Sequence, residues 1–150
     1  MKKLLILFFF AGLITGCKKD KFEDKPQLKL KSTSADVVPQ NSAYRAVLEF
    51  TDKQGDLDSI YIIRQRLNRR GMLTSAKVDY PVPKFPNNNQ GEIQIDFDYN
   101  IDLTVGLNPI NVPGSNPQRF EPDSLRLRFV VVDRADHASD TLNVNVIVNR

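Results

Sequence analysis

The chain has 150 residues, 26% of them charged, with a formal net charge of +3, a single Cys and a single His. The apparent isoelectric point near 9.0 reflects the N-terminal region. Residues 32–150 carry 13 Lys and Arg against 15 Asp and Glu, so the body is near neutral and does not read as a basic nucleic-acid binder. One cysteine excludes an intramolecular disulfide, and one Cys with one His leaves a structural zinc site short of ligands.

The chain opens Met1-Lys2-Lys3 and continues with eleven uncharged residues, Leu4 to Ile14. That run is too short to cross a hydrocarbon core, which needs roughly 20 apolar residues. A basic start, a short apolar centre and small residues are the pattern of a secretory signal. The run ends Ile14-Thr15-Gly16-Cys17, which resembles the lipobox of bacterial lipoproteins. The resemblance implies that Cys17 takes a diacylglycerol and becomes the N-terminus after cleavage. Two or three acyl chains suffice for stable anchoring, whereas one binds only marginally. The expected division is a lipoprotein signal peptide at 1–16, lipidated Cys17 with a flexible tether over 17–34, and one domain over 35–150. Asp20, Glu23 and Asp24 resemble, in part, export signals that send some lipoproteins to the cell surface. The expected address is the bacterial outer membrane, with the exposed face left open.

Beyond the tether, apolar residues recur with a period of two, the pattern of half-buried strands. The weak segment 27–31, "QLKLK", reads as an edge strand. Over 43–50, Tyr44, Ala46, Leu48 and Phe50 share one face. Residues 59–67 are apolar on both faces at their start, as in a central strand, and 75–80 read as a second edge strand. Over 91–100, Ile93, Ile95, Phe97 and Tyr99 alternate with Glu92, Gln94, Asp96 and Asp98. Residues 123–133 turn Leu125, Leu127, Phe129 and Val131 inward, and 141–149 do the same with Leu142, Val144, Val146 and Val148. About seven such strands without a helix predict an all-β, immunoglobulin-like antiparallel sandwich lacking the disulfide of antibody domains. A small open barrel is the competing architecture. The segments 81–90 and 102–122 hold seven of the nine prolines and are expected outside the sheets. Val105, Leu107, Ile110 and Val112 suggest that the longer one packs down as a plug on one end of the sandwich.

Two aspartate-rich turns stand out, "FTDKQGDLDSI" at 50–60 and "VVVDRADHASDTL" at 130–142. Both resemble turns in small bacterial lipoproteins with a signal peptide, a lipobox Cys and one immunoglobulin-like domain. The matching residues are Phe50-Thr51-Asp52, Gly55-Asp56-Leu57 and Asp133-Arg134-Ala135. Gln54 stands where the family turn has its middle Asp. The clusters also resemble the calcium-binding linkers of cadherin-type domains. Calcium takes six to eight oxygens, several from carboxylates, and Asp52, Asp56, Asp58, Asp133 and Asp136 could supply them if the two turns meet. The plainer reading is that Asp and Gly are good turn residues.

Arg64, Arg66, Arg69 and Arg70 form a run that could hold sulfate, phosphate or an acidic glycan. The plainer reading is an exposed strand face that discourages edge pairing. No catalytic constellation emerges: His137 has no serine in a nucleophile elbow beside it in sequence. Asp96 and Asp98 are the paired carboxylates weighed for glycoside hydrolysis, and they read as ordinary solvent-facing acids. Sugar platforms favour Trp, which is absent, and only Tyr61 and Tyr80 point outward. The expectation is a non-enzymatic, membrane-anchored binding or assembly module with a protein partner in the cell envelope, no nucleic acid and no obligatory cofactor. The alternative is a surface lipoprotein that binds calcium or an anionic glycan.

Overall fold

The structure is a computed structural model that describes residues 23–70, 75–82 and 88–150, with the side chains of 75–77 outside the description. Cys17, the segment 1–16 and the start of the 17–34 tether lie outside the described residues. Eight strands follow in order: β1 (Gln27–Thr33), β2 (Val37–Val38), β3 (Tyr44–Thr51), β4 (Leu57–Arg66), β5 (Ser75–Pro81), β6 (Gln90–Phe97), β7 (Asp123–Asp133) and β8 (Leu142–Val148). They form two sheets, β1-β3-β6 and β2-β8-β7-β4-β5. The protein is therefore an all-β sandwich of immunoglobulin-like type. Strand pairs are antiparallel except for β2 with β8. The two residues of β2 escaped the sequence reading because so short a strand has no measurable period.

The inward faces are those the alternation predicts. Tyr44, Ala46, Leu48 and Phe50 from β3 meet Leu125, Leu127, Phe129, Val131, Val144, Val146 and Val148 from β7 and β8 in one buried core. Each large apolar side chain so buried contributes about 1.5–3 kcal/mol relative to exposure. Phe97 links the two layers, lying 5.9 Å from Tyr44 and 6.2 Å from Phe129 between ring centroids.

β6 is shorter than its sequence pattern suggests. It stops at Phe97, and Tyr99–Leu103 form one π-helical turn in which Thr104 N donates to Tyr99 O at 2.9 Å. Asp98 starts the turn, accepting from Asn100 N at 2.7 Å and Ile101 N at 2.9 Å. This satisfies amide donors that a helix start leaves bare. Tyr99 remains buried and donates its hydroxyl to Asn149 O at 2.7 Å. Among the described residues no helix is long and apolar enough to cross a membrane.

Candidate functional sites

β4 and β7 run antiparallel, with Leu57 opposite Asp133 at one end and Arg66 opposite Leu125 at the other. Each end of this ladder carries a cluster of buried charge. At the first end, the turn after β3 supplies Asp52 and Asp56, and β7 supplies Asp133. Ligand oxygens of these three carboxylates all lie within 4.8 Å of one another. Asp52 and Asp133 are buried, at 0% and 1% exposure. The turn is shaped by Gly55, whose φ of +67° favours glycine. A Cβ there would also approach Asn88 N to 2.9 Å. The two turns are joined by Arg134 N, which donates to Asp56 O at 3.3 Å.

The hydrogen bonds inside this cluster are incomplete. Asp52 Oδ2 accepts from Asp56 N at 2.8 Å. Asp133 Oδ1 accepts from Ala135 N at 2.9 Å and His137 N at 2.8 Å, and its Oδ2 lies 2.9 Å from His137 Nδ1. Asp52 Oδ1 and Asp56 Oδ1 are buried with no hydrogen-bond partner among the described residues. The Asp56 carboxyl is held above the usual aspartate range, first by loss of hydration and then by the like charges of Asp52 and Asp133, with Arg134 opposing.

Of the five aspartates named from sequence, the fold thus unites three. Asp58 is exposed, because the β4–β7 register shifts between Leu57 and Ser59 and leaves it as the extra residue of a bulge. Asp136 is exposed in the turn at φ +64°. Gln54 is exposed too and reaches Asp24 at 3.5 Å.

The arginine run is a correction to the expected exposed strand face. Arg64 and Arg66 point inward, at 7% and 3% exposure, continuing the face of Ile60 and Ile62. Arg64 donates to Asp102 O at 2.7 Å and Val105 O at 2.8 Å, and Arg66 to Asn108 O at 2.9 Å. Arg66 also pairs with the fully buried Asp123, whose other oxygen accepts from Arg150 Nε at 2.5 Å. Arg150 in turn donates to Leu107 O at 3.0 Å. Arg70 pairs with Glu121, and Arg69 is exposed. The four arginines therefore do not share one anion-binding surface. Two of them hold down the 102–122 segment, where Leu103 and Leu107 are buried as a plug would require, while Val105 is exposed. The carboxylates weighed for hydrolysis are also engaged: Asp96 with Arg45 at 2.6 Å, and Asp98 as the cap described above.

A third feature was absent from the sequence reading. β6 ends the three-stranded sheet and β5 ends the five-stranded one. Between them opens a cleft of about 610 Å³, floored by Phe50, Ile60, Ile62, Ile93, Ile95 and Phe97. Tyr80 lines this cleft and, with Val78, Ile101 and Val105, an adjoining pocket; the four are exposed by 42–72%. Constant-type immunoglobulin domains carry a fourth strand in the sheet corresponding to β1-β3-β6. Here the outer edge of β6 is unpaired among the described residues.

No family model and no curated protein matches the chain. Among solved structures it is similar to a beta-glucosidase from Listeria innocua in complex with gluconolactone, at 10% identity and a TM-score of 0.45. The match covers 84% of this chain but 16% of that one. It is also similar to the sporulation control protein Spo0M from Bacillus subtilis, at 8% identity and a TM-score of 0.40 over 84% of this chain and 50% of that one. The PmoD soluble domain from a Methylocystis species matches at 10% identity and a TM-score of 0.37, covering 84% and 92% respectively. Likenesses this distant carry no argument about activity.

Proposed function

We propose that this chain is a bacterial lipoprotein, anchored to the outer membrane through acylated Cys17, whose sandwich is a binding or assembly module of the cell envelope rather than an enzyme. The module takes up an extended segment of a partner protein, laid along β6 in the cleft between β5 and β6. The observation that supports this reading is a β6 edge with no strand partner among the described residues, beside an apolar floor. An unpaired edge offers a row of backbone donors and acceptors, and alternate pockets select the side chains of an added strand. The occupant is a strand with apolar residues at every second position, because Ile93, Ile95 and Phe97 of β6 point into the cleft at that period. A contiguous exposed apolar patch beside an unpaired edge is uncommon on a protein that acts alone. β1 is also an edge strand, but its register breaks between Leu30 and Ser32, which makes it the poorer template.

The anionic-glycan alternative loses its basis with Arg64 and Arg66 buried on carbonyl groups. Two measurements test the proposal. Intact mass of membrane-extracted protein should give a chain starting at Cys17 with acyl mass added; an unmodified Met1 start overturns the anchoring. A photo-crosslinker at Gln94, exposed on β6, should trap one peptide of alternating apolar character in native membranes. The same probe at Asn143 on β8 should not trap it. Equal yields from both positions would reject the cleft as the docking site.

A further inference from the structure

We propose that Asp52, Asp56 and Asp133 form the core of a calcium site that clamps the two sheets together at one end of the sandwich. This inference is independent of the strand-binding reading and would survive its failure. Asp52 follows β3 of the three-stranded sheet, while Asp133 closes β7 of the five-stranded one. Acidic side chains often gather in turns without a ligand. What distinguishes this group is that Asp52 is completely buried and its Oδ1 has no hydrogen-bond partner among the described residues. Asp56 Oδ1 is buried and without one as well. Leaving a buried carboxylate oxygen unmet costs more than leaving a neutral acceptor unmet, and three such groups together repel. A cation placed among them removes both costs.

The chemistry favours calcium over other divalent ions. All the ligands are oxygens, whereas zinc prefers nitrogen or sulfur, and the nearby His137 Nδ1 is already engaged with Asp133. Oxygens on opposite sides of a calcium ion, each at about 2.3–2.6 Å, are separated by about 4.6–5.2 Å. The oxygens, all within 4.8 Å of one another, fit inside that span. Magnesium demands a near-ideal octahedron and usually keeps several waters with one or two carboxylates, so a group of three carboxylates suits it less well. The remaining coordination falls to carbonyls of the same turns and to water, as calcium's flexible shell permits. Arg134 is the positive charge that opposes the carboxylates at Asp56, and its side chain is exposed, so it supplies no buried positive charge.

The test is calorimetric titration and thermal melting of the full chain after chelation. Calcium should bind at one equivalent and raise Tm by at least about 5 °C at a concentration a hundredfold above Kd. Magnesium should raise it less. Asp52→Asn should weaken calcium binding at least tenfold, while Asp58→Asn, outside the cluster, should leave it unchanged. If Asp52→Asn does not fold, Asp56→Asn serves in its place and should show the same loss. Absence of calcium heat with an unchanged melting point in the parent chain overturns the proposal, as does parental affinity in both cluster variants.

Discussion

The two ends of the β4–β7 ladder bury charge in opposite ways. At the Arg66 end, Arg66 and Arg150 pair with Asp123, and backbone carbonyls of residues 102, 105, 107 and 108 accept from Arg64, Arg66 and Arg150, while Arg64 Nε and Arg66 Nε have no hydrogen-bond partner among the described residues. At the Asp133 end, three carboxylates meet with two oxygens unmatched. Burying a charge is costly unless it is paired and hydrogen-bonded. At the arginine end the buried charges are of both signs and pair within the chain, so it works as an internal staple that fastens the proline-rich 102–122 segment to the sandwich. At the aspartate end the three carboxylates share one sign, which suits the positive ion proposed above. Polar atoms go unmatched at both ends, and what separates them is whether the clustered charges include both signs.

The sharpest way to break this comparison is Asp123→Ala. It leaves Arg66 and Arg150 buried without their shared counter-ion, and the expected loss is about 3–5 kcal/mol in chemical denaturation. A loss below about 1 kcal/mol would remove the arginine end from the list of staples. Asp98→Ala tests the platform that presents those carbonyls, since Asp98 caps the turn leading to Asp102 and Val105. A cost of about 1 kcal/mol is expected, and none if the turn is held only by the burial of Tyr99 and Leu103.

At the aspartate end the expected effect is smaller and changes sign with conditions. With chelator present, Asp56→Asn removes a repelling charge and should stabilise the chain by a few tenths to about 1 kcal/mol. With saturating calcium the same variant should melt below the parent. A destabilised variant in chelator would mean that the carboxylates do not oppose one another.

The smallest effect concerns Tyr44, at the start of β3 and so at the arginine end. Burial, first, and the nearby Asp36 push its hydroxyl above the usual value of 10.0. The folded state then retains a proton that the unfolded chain releases, so stability falls as pH rises from 10 through the folded value. Tyr44→Phe should make the decline of Tm above pH 10 shallower. An unchanged slope would assign that decline to groups such as Lys31, whose pairing with Glu92 raises its value as well.

Much of the architecture was legible along the chain. Seven of the eight strands were marked in sequence, and period-two alternation gave the inward faces of four of them, because a strand's side chains take opposite sides by local geometry alone. Of the four apolar residues that suggested a plug in 102–122, only Leu107 is buried and Val105 is exposed. Arg64 and Arg66 were misread although the signal was present. They continue the inward face of Ile60 and Ile62, but charge argued for solvent, and the carbonyls that make burial tolerable lie about 40 positions away. The aspartate turns were readable as candidates, whereas the selection among them was not. Asp58 leaves the group through a bulge that exists only in the pairing of β4 with β7.

By itself, then, the sequence determined where strands form and which residues each strand turns inward, since those follow from a repeat within a few residues. Tertiary structure alone decided which charges are matched, which three aspartates converge, and that no strand among the described residues covers the outer edge of β6. Those outcomes depend on partners distant in the chain, and short-range pattern carries no information about them.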